Sequence, residues 1–162
     1  MDILQVEHLD DSKGLSGLLI KQLFNAGTIW VKEHITELNG IDIFPTPSGN
    51  AGIQIYRTLR SGCINMSKCS GISVESIVAS AAHGALIGAR GHQGVPFSQW
   101  LRGIVVSLNG KQSVSVQDFA QALAEAAKYA YMAEIRPIEG TMCTVAREAS
   151  EVVSARNLRI SC

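Results

Sequence analysis

Charge is scarce in this chain. Asp, Glu, Lys and Arg make up 17% of its 162 residues, and 14 basic residues balance 14 acidic ones to a formal net charge of zero. Without a basic excess, neither nucleic acid nor an anionic membrane is expected as the main partner, since both select a positive face. Cysteine is also sparse. Cys63, Cys69, Cys143 and Cys162 form no C-x-x-C pair, and no Cys/His group has zinc spacing. They read as reduced thiols. Met1-Asp2-Ile3-Leu4 does not begin a basic region followed by an apolar run, so no secretory signal is expected. No stretch reaches the roughly 18 apolar residues of a membrane span. A cytoplasmic location follows as an expectation. Period-two alternation is missing as well, which argues against a sheet. Disorder is excluded by what is abundant, since hydrophobic residues make up 46%.

What the chain does have is helical periodicity. Leu19, Leu23, Ala26 and Trp30 share one face of a helix over residues 15–37. Pro45 and Pro47 exclude helix from the loop between Leu38 and Gly52. Ile53, Ile55, Tyr56 and Leu59 open a second helix that Gly62 can close. Ser73 is a plausible N-cap for a third, carried by Val74, Ile77, Val78, Ala81, Ala82 and Ala85. A glycine-rich run, Gly88-Ala89-Arg90-Gly91-His92-Gln93-Gly94, ends it. Pro96 suits the first turn of a fourth helix. After the Asn109-Gly110 turn, Ser115-x-x-Asp118 is a capping-box start for a fifth. Pro137 breaks that helix, and Thr141 can cap a sixth. Six amphipathic segments predict an all-α antiparallel up-down bundle in one domain, residues 1–162. Leu23, Trp30, Ile77, Ala81, Leu101, Val105, Leu123 and Val145 are expected in its core.

Three loops have a similar make-up. They are the Pro/Gly loop at 45–52, the run Gly88–Gly94, and Arg136-Pro137-Ile138-Glu139-Gly140-Thr141. Up-down topology puts the loops after helices one, three and five at the same end. Helix N-termini there offer free N–H groups and a positive dipole end, which suit anions. Two readings stand at this point, a polar site at one end of the bundle or three ordinary interhelix turns. His34 and His83 fall in helices and read as surface residues. His92 lies in a phosphate-type loop and is a candidate contact. Trp30 and Trp100 read as core or interface. Glu125 and Lys128 form a surface i, i+3 pair.

The loop residues resemble a known family. Ile43-Phe44-Pro45-Thr46-Pro47-Ser48-Gly49-Asn50-Ala51-Gly52 is similar to a Val-Tyr-Pro-Val-Pro-Asp-Gly-Asp-Thr-Gly stretch. Gly88-Ala89-Arg90-Gly91-His92-Gln93-Gly94-Val95, followed by Ser98-Gln99, is similar to Gly-Ala-Arg-Gly-Asn-Ser-Gly-Val and Ser-Gln. Pro137-Ile138-Glu139-Gly140-Thr141, with Thr144-Val145-Ala146, is similar to Pro-Val-Glu-Gly-Thr and Thr-Val-Ala. All three motifs occur, in this order, in the nucleotide-binding domain of the dihydroxyacetone kinase L-subunit family. They come closest to its fatty acid kinase branch. The resemblance implies an antiparallel eight-helix barrel that binds ATP and Mg²⁺ at one end. Clustered aspartates hold the ions against the phosphates, and a separate protein or domain presents the acceptor.

The resemblance carries over unevenly. It implies metal positions at Asp42, Ser48 and Asn50, but Ser48 and Asn50 stand where both branches have Asp. It implies nucleotide contacts from Ser48, Gly49, Asn50, Gly52, Gly88, Arg90, Gly91, His92, Gln93, Gly94, Glu139, Gly140 and Thr141. Ala51 replaces a Thr or His. His92-Gln93 replaces Asn-Ser and loses a hydroxyl. The glycine scaffold is kept while its acidic chemistry is reduced. Six helices against the family's eight imply a C-terminally truncated domain, with an apolar side that a partner or a second copy would cover, as a homodimer or a rearranged bundle. The expectation is a glycerone or fatty acid kinase domain with impaired phosphoryl transfer. The alternative is a non-catalytic binding or regulatory homologue.

Overall fold

A computed structural model describes residues 14–42 and 47–160. It is all-helical, in the order α1 (Gly17–Glu33), α2 (Ile35–Gly40), α3 (Ala51–Ser67), α4 (Val74–Gly88), α5 (Gly91–Ser107), α6 (Val116–Met132) and α7 (Met142–Ile160). Among the described residues there is no strand, only an isolated bridge between Leu15 and Val114. Consecutive long helices pack side by side, α3 on α4, α4 on α5, α5 on α6 and α6 on α7. This is the expected up-down bundle. No described helix is long and apolar enough to cross a membrane.

Local chemistry explains the boundaries. Ser73 caps α4 by accepting the Ser76 N–H. Ser115 and Asp118 form the expected reciprocal capping box at α6. Elsewhere the expectations need correction. Residues 15–37 are not one helix, because the chain breaks at His34 and restarts as α2, which makes seven helices instead of six. Gly62 does not end α3, which runs on to Ser67. A Cβ there would lie 2.9 Å from the Ala81 carbonyl oxygen and 3.1 Å from the Phe24 ring. Gly62 is therefore a packing glycine, and its small size brings α3 against α4. The run Gly88–Gly94 is mostly helix. Gly88 ends α4, Gly91 starts α5, and only Ala89 and Arg90 lie between. Pro96 falls at the sixth position of α5, beyond its first turn. Pro45 lies outside the described residues, as does Cys162.

Ile77, Ala81 and Leu101 are buried as expected, with Met66, Val74, Leu108 and Val114. Val105 and Leu123 are half-buried. Leu23, Trp30 and Val145 are exposed, against expectation. For α7 the cause is rotation: its buried positions are Cys143 and Ser150, so Val145 points away. For α1 the cause is that no other described element covers its apolar stripe. Its apolar stripe faces a groove of about 440 Å³, lined almost wholly by apolar side chains including Leu23, Phe24, Trp30, Phe97 and Trp100. Helix α1 packs on α2, α3 and α4 but makes no contact with α7. The ring of described helices is therefore open along that side. Trp30 stacks on His34 at 4.0 Å between ring centroids.

Candidate functional site

The loops before α3, α5 and α7 meet at one end of the bundle. A cavity of about 600 Å³ is lined there by Ser48, His92, Gln93, Arg136, Ile138 and Thr141, among others. The clustering expected from up-down topology is thus present in the geometry. The chemistry of each loop differs from what the motifs alone imply.

Asp42 anchors the first loop. It is 6% exposed, and one of its oxygens, Oδ2, accepts three hydrogen bonds. The Ser48 hydroxyl donates at 2.5 Å, and the N–H groups of Asn50 and Ala51 each donate at 3.2 Å. This carboxylate therefore caps the N-terminus of α3, the place where a bound anion would otherwise sit. Asn39 completes the cap by accepting from Gly52 N–H at 2.9 Å. Burial pushes the Asp42 pKa up, but the bonds from Ser48, Asn50 and Ala51, with His92 nearby, outweigh it and hold the carboxyl below its usual range. The other oxygen, Oδ1, is buried with no hydrogen-bond partner. It lies 3.6 Å from Nε2 of His92.

The second loop is likewise satisfied from within. Gly91 takes a φ of +69°, and the Gln54 carboxamide lies against it, 2.4 Å from where a Cβ would be. Gln54 Oε1 accepts the Gln93 N–H at 3.0 Å. Gln54 also hydrogen-bonds Asn50, as does Ser48, at 2.9 Å. A side chain of α3 thus occupies an N–H group of α5 that a phosphate cradle would leave free. Gly52, Gly88 and Gly94 are packing glycines. A Cβ on them would strike Ile35, Ser61 and Thr58 respectively. Gly49, with φ of +62°, is the open one. Arg90 turns back and donates to the carbonyls of Ile87 and Ala89.

The third loop is held by Glu139. Its carboxylate accepts from Thr144, Tyr131 and Arg147 at 2.7, 2.8 and 3.2 Å, which holds its pKa below the usual range. Gly140 N–H donates to the Thr144 hydroxyl at 2.8 Å. Glu139 and Gly140 therefore shape the loop that carries Arg136 and Thr141 to the cavity. Thr141 directly precedes α7, but its hydroxyl donates backward to Ile138 O. Cys143, just behind, is no nucleophile, since burial pushes its thiol up to about 11.

The group that the motifs imply can be tested against these residues. Three clustered carboxylates would balance a magnesium–polyphosphate cluster. Here there is one, and three of its bonding positions are taken by the protein itself. Among the described residues no three His, Cys, Asp or Glu side chains converge as ligands. The residues present do not fit a carboxylate-held magnesium cluster. Asn39, Gln54, Tyr131 and Arg147 hold the three loops by hydrogen bonds that the motifs do not reveal. The signal for Gln54 was its i+4 spacing from Asn50 on the α3 face.

The described residues form an all-helical bundle with the three motif loops gathered around a cavity at one end. The sequence profile of the DAK2 domain matches residues 45–160. The chain belongs to the DAK2 domain family. It is 28% identical over 137 residues to Protein YloV of Bacillus subtilis, an alignment covering 85% of this chain and 25% of YloV. An uncharacterized protein of Staphylococcus epidermidis matches to the same extent at 28% identity. One of Staphylococcus aureus matches at 25% identity with the same coverage. The matched part of the chain thus spans about a quarter of the length of these relatives.

Proposed function

We propose that this chain is a DAK2 domain with the nucleotide-facing loop scaffold of a glycerone or fatty acid kinase but impaired magnesium-dependent phosphoryl transfer. Its role is then that of a binding or regulatory domain. One observation carries the reading. Ser48 and Asn50 occupy the positions of two family carboxylates, and both donate hydrogen bonds to the third, Asp42, through the Ser48 hydroxyl and the Asn50 N–H. Without two of the carboxylate ligands the loop holds Mg²⁺ weakly, and the phosphate charge that the ions would neutralise stays unbalanced. The three loop motifs support an affinity with the fatty acid kinase branch. With the family come a separate acceptor-presenting protein and a cytoplasmic setting. The apolar lining of the α1 groove favours a second copy of the chain as its cover.

Calorimetric titration with Mg-ATP, followed by a turnover assay, tests the reading. Binding is expected to be weaker than micromolar, with turnover far below the roughly 1–100 per second of ordinary kinases. The double substitution Ser48→Asp, Asn50→Asp is expected to strengthen magnesium-dependent binding. Micromolar binding with an ordinary kinase rate in the unaltered chain would overturn the proposal.

A further inference from the structure

We infer that the kink between α1 and α2 is a hinge that couples the apolar groove to the loop end of the bundle, with Trp30 and His34 as its positioning pair. The argument begins with α2, which has few supports. Among the described elements it packs only on α3 and on α1. Its direction is therefore set by α3 and by the kink at His34, where φ of −104° and ψ of 15° leave the helical range.

His34 is tied to one residue of α1. Its backbone N–H donates to the Trp30 carbonyl at 3.1 Å, and its imidazole Nδ1 lies 2.8 Å from the same oxygen. A carbonyl can only accept, so the ring proton sits on Nδ1. The imidazole also stacks on the Trp30 indole, with 4.0 Å between centroids and 19° between planes. As the N-cap of α2, His34 makes no side-chain cap bond. Its ring serves the kink instead of the cap.

The two ends of this unit face different parts of the domain. Trp30 is 55% exposed and lines the groove with Leu23, Phe24 and Trp100. At the other end, Asn39 of α2 accepts the Gly52 N–H at 2.9 Å and the Ile53 N–H at 3.4 Å. These amides belong to the first turn of α3, beside the Ala51 N–H that Asp42 caps. Helix α2 is pressed against that turn. A Cβ on Gly52 would lie 2.7 Å from the Ile35 carbonyl oxygen and 2.8 Å from the Leu38 side chain. A body seated in the groove bears on the Trp30 ring. It either moves that ring off His34 or moves His34 with it, and with His34 goes α2. Displacing α2 takes Asn39 from the start of α3, so a few residues carry the state of the groove to the loops.

Hydrogen exchange of the full chain, read by mass spectrometry at Gly52 and Ile53, tests the coupling without nucleotide or metal. All variants are compared at one concentration, low enough to keep copies apart. His34→Ala removes the stack and the Nδ1 bond. It should speed exchange at these two amides by about fivefold or more, the scale of losing an aromatic contact in a local opening. Trp30→Ala, made on the groove side, should do the same. The double variant should add little to either single one, because both break one contact. His34→Phe keeps a stacking ring and should restore most of the protection. Amides of α6 should be unmoved in every variant, as should Gly52 and Ile53 in His83→Ala. Unchanged exchange at Gly52 and Ile53 in His34→Ala would overturn the inference. So would effects of the two alanine variants that add in full, failure of His34→Phe to rescue, or equal acceleration in α6. The outcome is separable from the kinase question, since an active kinase would refute the proposed function and leave the exchange result standing.

Discussion

Replacing Asp42 with alanine isolates what this carboxylate does for the fold. The side chain accepts three hydrogen bonds through Oδ2, two of them from N–H groups at the start of α3. Loss of a helix cap costs about 0.5–2 kcal/mol, and a hydrogen bond to a charged group contributes about 1.5–3 kcal/mol. These contributions do not add, because Ser48 and Asn50 are exposed and can turn to water. The Ala51 N–H is buried and cannot. The expected cost of Asp42→Ala is therefore about 2–3 kcal/mol, or a fall of about 5–10 °C in Tm for a domain of this size. Asp42→Asn keeps an acceptor oxygen and should cost about 1 kcal/mol. Urea unfolding in the presence of a chelator measures both without any contribution from bound ions. The pH dependence follows from the lowered pKa. The stabilisation is fully present above the unfolded carboxyl value near 3.8, and it fades as pH falls through the lower folded value. If Asp42→Ala lay within about 0.5 kcal/mol of the parent, the capping role would be wrong and the carboxylate would be free for a ligand.

Two further outcomes concern parts of the chain away from the cavity. Asp118 is held at about 2 by the Lys111 ammonium at 2.8 Å and by the Ser115 hydroxyl and N–H. Asp118→Asn should cost about 1–2 kcal/mol at pH 7 after allowance for solvent screening, a difference that shrinks between about pH 4 and pH 2 in chemical denaturation. The α1 groove should pair two copies. Trp30, 55% exposed, lines it, so Trp30→Glu should lower the sedimentation coefficient at micromolar concentration. An unaltered chain that already sediments as a monomer would refute the pairing.

Much of the fold was legible because it rests on local rules. The capping box at Ser115 and Asp118, the cap at Ser73 and the 3.6-residue stripe of α4 each act over short stretches of chain. Errors arose where tertiary contact outweighs local preference. Gly62 carries the signature of a helix end, but the Ala81 carbonyl and the Phe24 ring need its missing Cβ in mid-helix. The stripe of α1 is genuinely apolar, yet periodicity cannot say whether another helix covers it. On α7 the buried face belongs to Cys143 and Ser150, which an apolar scan passes over.

The site was legible in a different way. Counting carboxylates in the 42–52 loop reads out how much negative charge it carries, since residue identity alone decides that. What the count missed is how the surviving groups are engaged. Asp42 lies eight residues before Asn50, whose N–H it accepts, and Gln54 is 39 residues from the Gln93 N–H it occupies. Such pairings depend on how α3 and α5 cross, which no single-sequence pattern encodes. At two helix N-termini that a motif reading would leave open to phosphate, a side chain of the domain takes up N–H groups, Asp42 at α3 and Gln54 at α5. An anion that used these N–H groups would have to displace Gln54 from Gln93, or Asp42 from α3, and the second exchange moves a carboxylate that the fold itself uses.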